Sequence, residues 1–258
     1  MRIVTWNCQM GLDKKVDALL SLNLDVAVVP ECSEKSAIAL RQRGFNSLWF
    51  GSNPNKGLAV ISRQDWPLHA LPQPEQKWIA PVEVLSPVPF NLVAVWACQI
   101  GTKRADNYIR AGVPRSDGTS EWFRQRPVVL AGDLNSNKIW DAHRRVGNHS
   151  AVVKLLDERG LVSAYHEHFH EPQGEESRPT IFFYRRAERT FHIDYIFIPR
   201  EWVARLQTVE VGDYEQWSKL SDHCPVVVEV IDWMRSERVS PLIPSKETVR
   251  PLRVALVR

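Results

Sequence analysis

Cysteine is scarce and poorly spaced for a scaffold: there are four in 258 residues, Cys8, Cys32, Cys98 and Cys224, with no Cys-x-x-Cys pair. That excludes a disulfide framework and a zinc site built from cysteines alone. Thiols so far apart pack as small hydrophobes. No apolar run approaches the ~18 residues of a membrane span. The opening Met1-Arg2-Ile3-Val4-Thr5-Trp6-Asn7 lacks the charged-then-apolar layout of a secretory leader, so a cytoplasmic chain is expected. Neither sign of charge dominates, with 33 Lys+Arg against 30 Asp+Glu, which speaks against a broadly basic nucleic-acid binder. Repeats and low-complexity blocks are absent, and 44% hydrophobic residues with 12 Gly and 17 Pro exclude collagen-like and wholly disordered chains.

The charge that is present is local. Arg235, Arg238, Lys246, Arg250, Arg253 and Arg258 face only Glu237 and Glu247, so residues 235–258 read as a basic tail with prolines at 241, 244 and 251. A second basic stretch, 101–126, carries Lys103, Arg104, Arg110, Arg115, Arg124 and Arg126 in what reads as a long loop. It suits contact with phosphate, or it is a solvated loop.

Short β-branched runs predict strands at Ile3–Cys8, Asp25–Pro30, Ser47–Phe50, Leu58–Ser62, Trp78–Val84, Asn91–Cys98, Val128–Gly132, Ile181–Tyr184, Ile193–Pro199, Thr208–Val211 and Pro225–Val230. Helical spacing predicts Lys14–Leu22, Ser33–Arg43 with Ser33 as N-cap, and His149–Gly160 stopped by Gly160. So many strands with so few helices do not fit one doubly wound sheet; two stacked sheets with helices outside accommodate them. The expected organisation is one domain, 1–234, and the tail.

Polar residues recur just past apolar strands: Asn7, Glu31, Asp133 and Asn135, Asp194, and Asp222 with His223. A charge at the end of a buried strand is costly unless it is paired or bound to a metal. Oxygen donors without cysteine suit a hard cation such as Mg²⁺, with Mn²⁺ as a substitute.

The ordered set Thr5-Trp6-Asn7, Val29-Pro30-Glu31, Gly132-Asp133-Leu134-Asn135, Ile193-Asp194-Tyr195 and Ser221-Asp222-His223-Cys224-Pro225 resembles the endonuclease/exonuclease/phosphatase family, the deoxyribonuclease I-like superfamily of metal-dependent phosphoesterases. The resemblance runs from residue 3 to about 230. It implies a four-layer α/β/β/α sandwich, two packed mixed β-sheets flanked by helices, with the active site at one end of the paired sheets. It also implies a Mg²⁺-dependent phosphodiesterase, most simply a nuclease, with a nucleic-acid phosphodiester as substrate and no obligate protein partner. Carried over by motif, Glu31 would be the main Mg²⁺ ligand, assisted by Asn7 and Asp222. His223 would donate to the scissile phosphate with Asp194 holding the imidazole. Asp133 would take the proton from, or orient, the attacking water, and Asn135 would fix that water or the phosphate oxygen. A phosphatase for a small-molecule or lipid phosphate, or a silent binding module on the same scaffold, are the alternative readings.

One position departs from the family pattern. Its members usually place a His or Tyr at the end of the strand before Gly-Asp-x-Asn; here Trp96 stands there, as donor, stacking surface or core packing, with Tyr108 or Gln99 as substitutes. His192, two residues before Asp194, would share its strand face and either meet substrate or stand as a strand-edge polar residue. Trp122 and Trp140 are candidates for stacking on a base. His166, His168 and His170 would make a zinc face if their segment were a strand, but the following Glu171-Pro172-Gln173-Gly174 favours a loop.

Overall fold

Alternation along the first strand decides the layering. In a computed structural model, which describes residues 1–73, 79–98, 125–142 and 148–231, β1 (Arg2–Thr5) sends Ile3 into one apolar cluster and Val4 into another. Period-2 side chains reach opposite faces, so a strand apolar on both faces must be covered twice. β2 (Val26–Cys32) repeats the pattern, with Val26 and Val28 on one side and Ala27 and Val29 on the other.

The inner cluster lies between two six-stranded sheets. The first has the order β13-β14-β1-β2-β4-β3 and comprises, besides β1 and β2, β3 (Asn46–Asn53), β4 (Lys56–Ser62), β13 (Leu206–Val211) and β14 (Val226–Val230). The second has the order β5-β6-β7-β8-β12-β9 and comprises β5 (Leu68–Ala70), β6 (Ile79–Val84), β7 (Phe90–Trp96), β8 (Val128–Asp133), β9 (Leu161–Ser163) and β12 (Asp194–Pro199). Between them Val60, Val228, Leu92, Ala131 and Ile196 interleave.

The outer faces are covered by helices. α1 (Val16–Leu20) and α2 (Glu34–Gln42) place Leu19, Ala37 and Leu40 on the first sheet; α3 (His149–Glu158) places Val152 and Leu156 on the second. The result is the expected four-layer α/β/β/α sandwich. α2 begins where the sequence placed it, with the Ser33 Oγ accepting from the Ser36 N–H at 3.2 Å. α1 is shorter than expected because Lys15, at φ −128°, separates it from the short turn over Leu12–Lys14.

Three expectations change. The segment holding His166, His168 and His170 is neither strand nor loop: α4 (Ala164–Phe169) runs through it and ends at His170, φ +57°. His166 is hydrogen-bonded to Ser163 and Glu176, and the three histidines form no ligand group. The strand expected over Ile181–Tyr184 stops after two residues. β10 (Ile181–Phe182) pairs with β11 (Thr190–Phe191), and Tyr184 and Arg185 turn the hairpin in left-handed conformation. Third, β5 and β9 are strands where none was expected, each of three residues and too short to carry a periodic signal.

Among the described residues no helix is long and apolar enough to cross a membrane. Tyr108, Trp122, Gln99, Trp78, most of the basic 101–126 stretch and the 235–258 tail lie outside the described residues.

Strand direction gathers the polar residues. β1 and β2 are parallel, as are β7 and β8; β4, β12 and β14 run against them. The C-terminal ends of the first group and the N-terminal ends of the second therefore share one edge of the sandwich.

Candidate active site

At that edge Gly132 permits an approach that no other residue allows. Its φ is +144°, and a Cβ there would lie 1.8 Å from the Val95 carbonyl oxygen. With β8 so close to β7, the Ala97 N–H donates to the Asp133 carbonyl at 2.8 Å, and Trp96 stands beside Asp133 in register.

Across the other side of β8, Asp133 is paired directly with Asp194 of β12. Two carboxylates, 1% and 0% exposed, face one another on the inner face. Like charges directly opposite are destabilising unless they are compensated. The compensation is visible. His223 Nδ1 lies 2.8 Å from Asp194 Oδ2. Asp133 Oδ1 accepts from the Asn135 N–H at 2.8 Å, and its Oδ2 accepts from Asn135 Nδ2 at 2.9 Å and Asn7 Nδ2 at 3.0 Å. Asn135 folds back onto Asp133 because its backbone is left-handed, φ +46°.

Burial works to lower the His223 pKa, but the charge of Asp194 and its hydrogen bond, then Asp133 and Asp222, outweigh it and push the imidazole up. Asp133 is raised above the usual carboxylate range, first by burial and then by the Asp194 charge, with His223 and Asn7 pulling back. The arrangement is an imidazolium–carboxylate pair next to a carboxylate of enhanced basicity.

Glu31 enters through a bulge. Pro30 opposes Leu58 and Cys32 opposes Gly57, so Glu31 is the extra residue, at φ +61°. Its Oε1 lies 3.5 Å from Asn7 Nδ2 and 3.3 Å from Lys56 Nζ. Asp222 is half-buried; its carbonyl accepts from the Phe182 N–H, and its carboxylate charge bears on Lys15 and His223.

Several supports have no assigned role in the sequence reading. Thr180, fully buried, accepts with Oγ1 from the N–H groups of both Ile193 and Asp194 at 3.0 Å. Ser221 donates to the Asn7 carbonyl at 2.8 Å and accepts from the His223 N–H at 3.0 Å. The Trp6 indole donates to the His223 carbonyl at 3.0 Å. Ser221 and Trp6 stand inside the quoted motifs; a lone threonine before a two-residue strand carries no spacing signal.

Asp133, Asp194 and His223 are the three ligating side chains that come within 4.8 Å of one another among the described residues. His223 Nδ1 and Asp194 Oδ2 are already used on each other and both Asp133 oxygens on Asn135 and Asn7, so the three form part of a bonded network more than an open ion site. Glu31 and Asp222 add further carboxylates at the same strand ends, and Asp194 Oδ1 is buried with no hydrogen-bond partner. An all-oxygen set of this kind fits a hard divalent cation. Asn7, expected to assist at the ion, points its amide nitrogen at Glu31 and Asp133, and its oxygen accepts from the Gln9 N–H at 3.0 Å.

His192, expected at the site, is 2% exposed; its Nδ1 bonds the Arg178 carbonyl, and its ring packs on Tyr165 at 4.4 Å and Tyr195 at 4.8 Å. Burial lowers its pKa to about 4. It lies between β11, which ends at Phe191, and β12, which begins at Asp194. Trp96 is half-buried against the inner core, with Lys56 over its ring at 5.1 Å. Trp140 is 38% exposed, and its ring meets Phe191 at 4.7 Å; Phe191 in turn meets Phe183 at 5.5 Å. Tyr184, 78% exposed, tops the same hairpin beside Arg185 and Arg186.

A model of the Endonuclease/Exonuclease/phosphatase family matches residues 4–223. No curated protein matches the chain. Among solved structures, the Neisseria 3' phosphatase NExo bound to product DNA hairpin is similar at TM-score 0.63 and 23% identity, over 90% of this chain and 100% of that one. An AP endonuclease from Archaeoglobus fulgidus is similar at TM-score 0.63 and 16% identity, again over 90% and 100%. The AP endonuclease LMAP from Leishmania major is similar at TM-score 0.66 and 14% identity, over 90% of this chain and 87% of that one. At these identities the likeness establishes the fold.

Proposed function

Because the chain belongs to the Endonuclease/Exonuclease/phosphatase family, and so is a metal-dependent phosphoric ester hydrolase of the nuclease and phosphodiesterase kind, we propose that it is a Mg²⁺-dependent nuclease acting by in-line attack of water. The observation that carries this reading is the register pairing of Asp133 with Asp194, beneath the His223–Asp194 hydrogen bond. It sets a basic carboxylate next to a cationic donor, and phosphodiester hydrolysis needs both.

Asp133 takes the proton of the attacking water, and Asn135, held against it, orients that water. His223, its Nδ1 fixed by Asp194, presents its Nε2–H to a phosphate oxygen. Thr180 and Ser221 hold Asp194 and His223 in place. Glu31 and Asp222 would hold the Mg²⁺, which supplies charge neutralisation at the phosphate oxygens; Mn²⁺ suits the same oxygens. Asn7 acts as a donor to Asp133 and Glu31.

A polynucleotide substrate is favoured by the row Trp140, Phe191 and Phe183 with exposed Tyr184, flanked by Lys138, Arg185 and Arg186. Aromatic faces stack on bases while basic residues track phosphates. The NExo structure is described as bound to product DNA hairpin, which agrees with this choice.

The test is nicking of supercoiled plasmid and trimming of a 3'-labelled oligonucleotide with Mg²⁺, beside EDTA and the variants Asp133→Asn and His223→Ala. Cleavage lost with EDTA and reduced by about 10²-fold or more in each variant is expected. A fully active Asp133→Asn would refute the assigned base. Absence of cleavage of either polynucleotide would refute the nuclease reading.

A further inference from the structure

We propose that Lys56 is an internal counter-ion of Glu31: it occupies the cation position at that carboxylate in the ion-free protein, yields it to a divalent ion, and then meets the substrate phosphate over Trp96. The inference rests on the reading of Glu31 as the carboxylate that holds the ion.

The geometry is specific. Lys56 opens β4, where the β3–β4 hairpin closes on the Asn53–Lys56 pair. From there its Nζ reaches Glu31 Oε1 at 3.3 Å, the same oxygen that Asn7 Nδ2 faces at 3.5 Å. The ammonium also lies 5.1 Å from the centre of the Trp96 ring. Trp96 is the register partner of Asp133, so one lysine spans from the ion-holding carboxylate of the first sheet to the proton-accepting strand of the second. The charge of Lys56 is felt at Cys98, just beyond β7, together with those of Glu31 and Asp133.

An ammonium on a carboxylate oxygen repels an incoming divalent cation and takes up one of its lone pairs, so the two compete for Glu31 Oε1. The lysine is the one that can move. It is a point charge on a four-carbon stem, 38% exposed, against a Glu31 side chain 18% exposed and fixed by its bulge. Once displaced, it keeps the face of Trp96 as its neighbour, at the cleft mouth and beside the strand that carries Asp133. An anion entering the site meets it there. Trp96 cannot supply a proton-exchanging contact of its own, and the lysine provides the positive charge that this position otherwise lacks.

The experiment titrates Mn²⁺ into the metal-stripped, full-length protein and follows the free ion by electron paramagnetic resonance. Lys56→Met keeps the stem and removes the charge; it should bind Mn²⁺ roughly 3- to 10-fold more tightly than the parent, the range expected for loss of a partly exposed ionic competitor. Lys56→Arg should stay within about twofold of the parent, and Glu31→Gln should weaken binding. At saturating Mn²⁺, Lys56→Met should raise KM for an oligonucleotide by a similar factor. Unchanged or weaker Mn²⁺ binding in Lys56→Met overturns the proposal, as does unweakened binding in Glu31→Gln. An unchanged KM overturns its phosphate-contact half. If the titration behaves as expected while the parent cleaves no phosphodiester, the nuclease reading fails alone; if the parent cleaves DNA while the titration is flat, the role of Lys56 fails alone.

Discussion

Replacing Thr180 by valine removes one oxygen and leaves the side-chain shape almost unchanged. That oxygen accepts from two backbone donors, the N–H groups of Ile193 and Asp194, each at 3.0 Å, in a residue with no exposed surface. Its own backbone continues to pair, N–H to the Phe191 carbonyl and carbonyl to the Cys224 N–H, so the surrounding strands stay tied together. The variant therefore leaves two N–H groups without an acceptor where water does not reach. Each costs about 1–3 kcal/mol, so a loss of about 2–6 kcal/mol is expected, less what local shifts recover. In a chain of this size that lowers Tm by roughly 5–15 °C. Because one of the two orphaned groups belongs to Asp194, the carboxylate that fixes His223, turnover should fall by about tenfold in the fraction that remains folded. Thr180→Ser keeps the oxygen and should lose only the methyl contribution, about 1 kcal/mol, with near-parental turnover. Thermal melts and single-turnover cleavage on the three proteins test this. Equal stability and activity of Thr180→Val and the parent would refute the claim that the hydroxyl holds the Asp194 strand in place.

Gly132→Ala should fail to fold stably, since its Cβ would fall 1.8 Å from the Val95 carbonyl oxygen at a φ of +144°; soluble protein with parental Tm would contradict the close approach of β7 and β8. His192 supplies a pH signature. Burial depresses its pKa to about 4 from the ordinary value of about 6.5, so the unfolded chain takes up a proton that the folded one refuses as pH falls between those values. Its contribution is intact above about pH 6.5 and declines by roughly 3 kcal/mol in all as pH drops to about 4. The raised pKa of His223 works in the opposite sense, so the readout is the comparison of the parent with His192→Phe in urea at pH 7.5 and 5. A smaller acid-side loss is expected in the variant, and parallel losses would show that His192 is not the group responsible.

Much of the sandwich is legible in the chain because both sheets are buried on two faces. That produces near-continuous runs such as Val26–Val29 and Val128–Ala131, and their number requires two layers. The polar residues stand out for a related reason: Asn7, Glu31, Asp133, Asp194 and His223 interrupt apolar runs at or just past the strand tips, where water or a partner must satisfy them. Helix α2 is readable from its Ser33 cap, a local interaction. α4 is not, since its six residues have no side-chain cap bond and only Ala164, Tyr165 and Phe169 to mark an apolar side.

His192 shows the limit of extrapolating a strand's alternation beyond its end. Period-2 logic holds only as far as regular backbone does, and here β12 begins at Asp194. Composition, strand-tip position and motif order by themselves point to the fold and to the polar residues that it brings to one edge. Tertiary structure alone decides that Asp133 faces Asp194 across two strands, that Thr180 holds the second of them, that Asn7 turns its nitrogen inward, and that Lys56 rests on Glu31. Those relations join residues far apart in the chain through register, bulges and left-handed turns. A single residue at positive φ, as at Glu31 or Asn135, redirects a side chain in a way that no local pattern of side-chain types encodes.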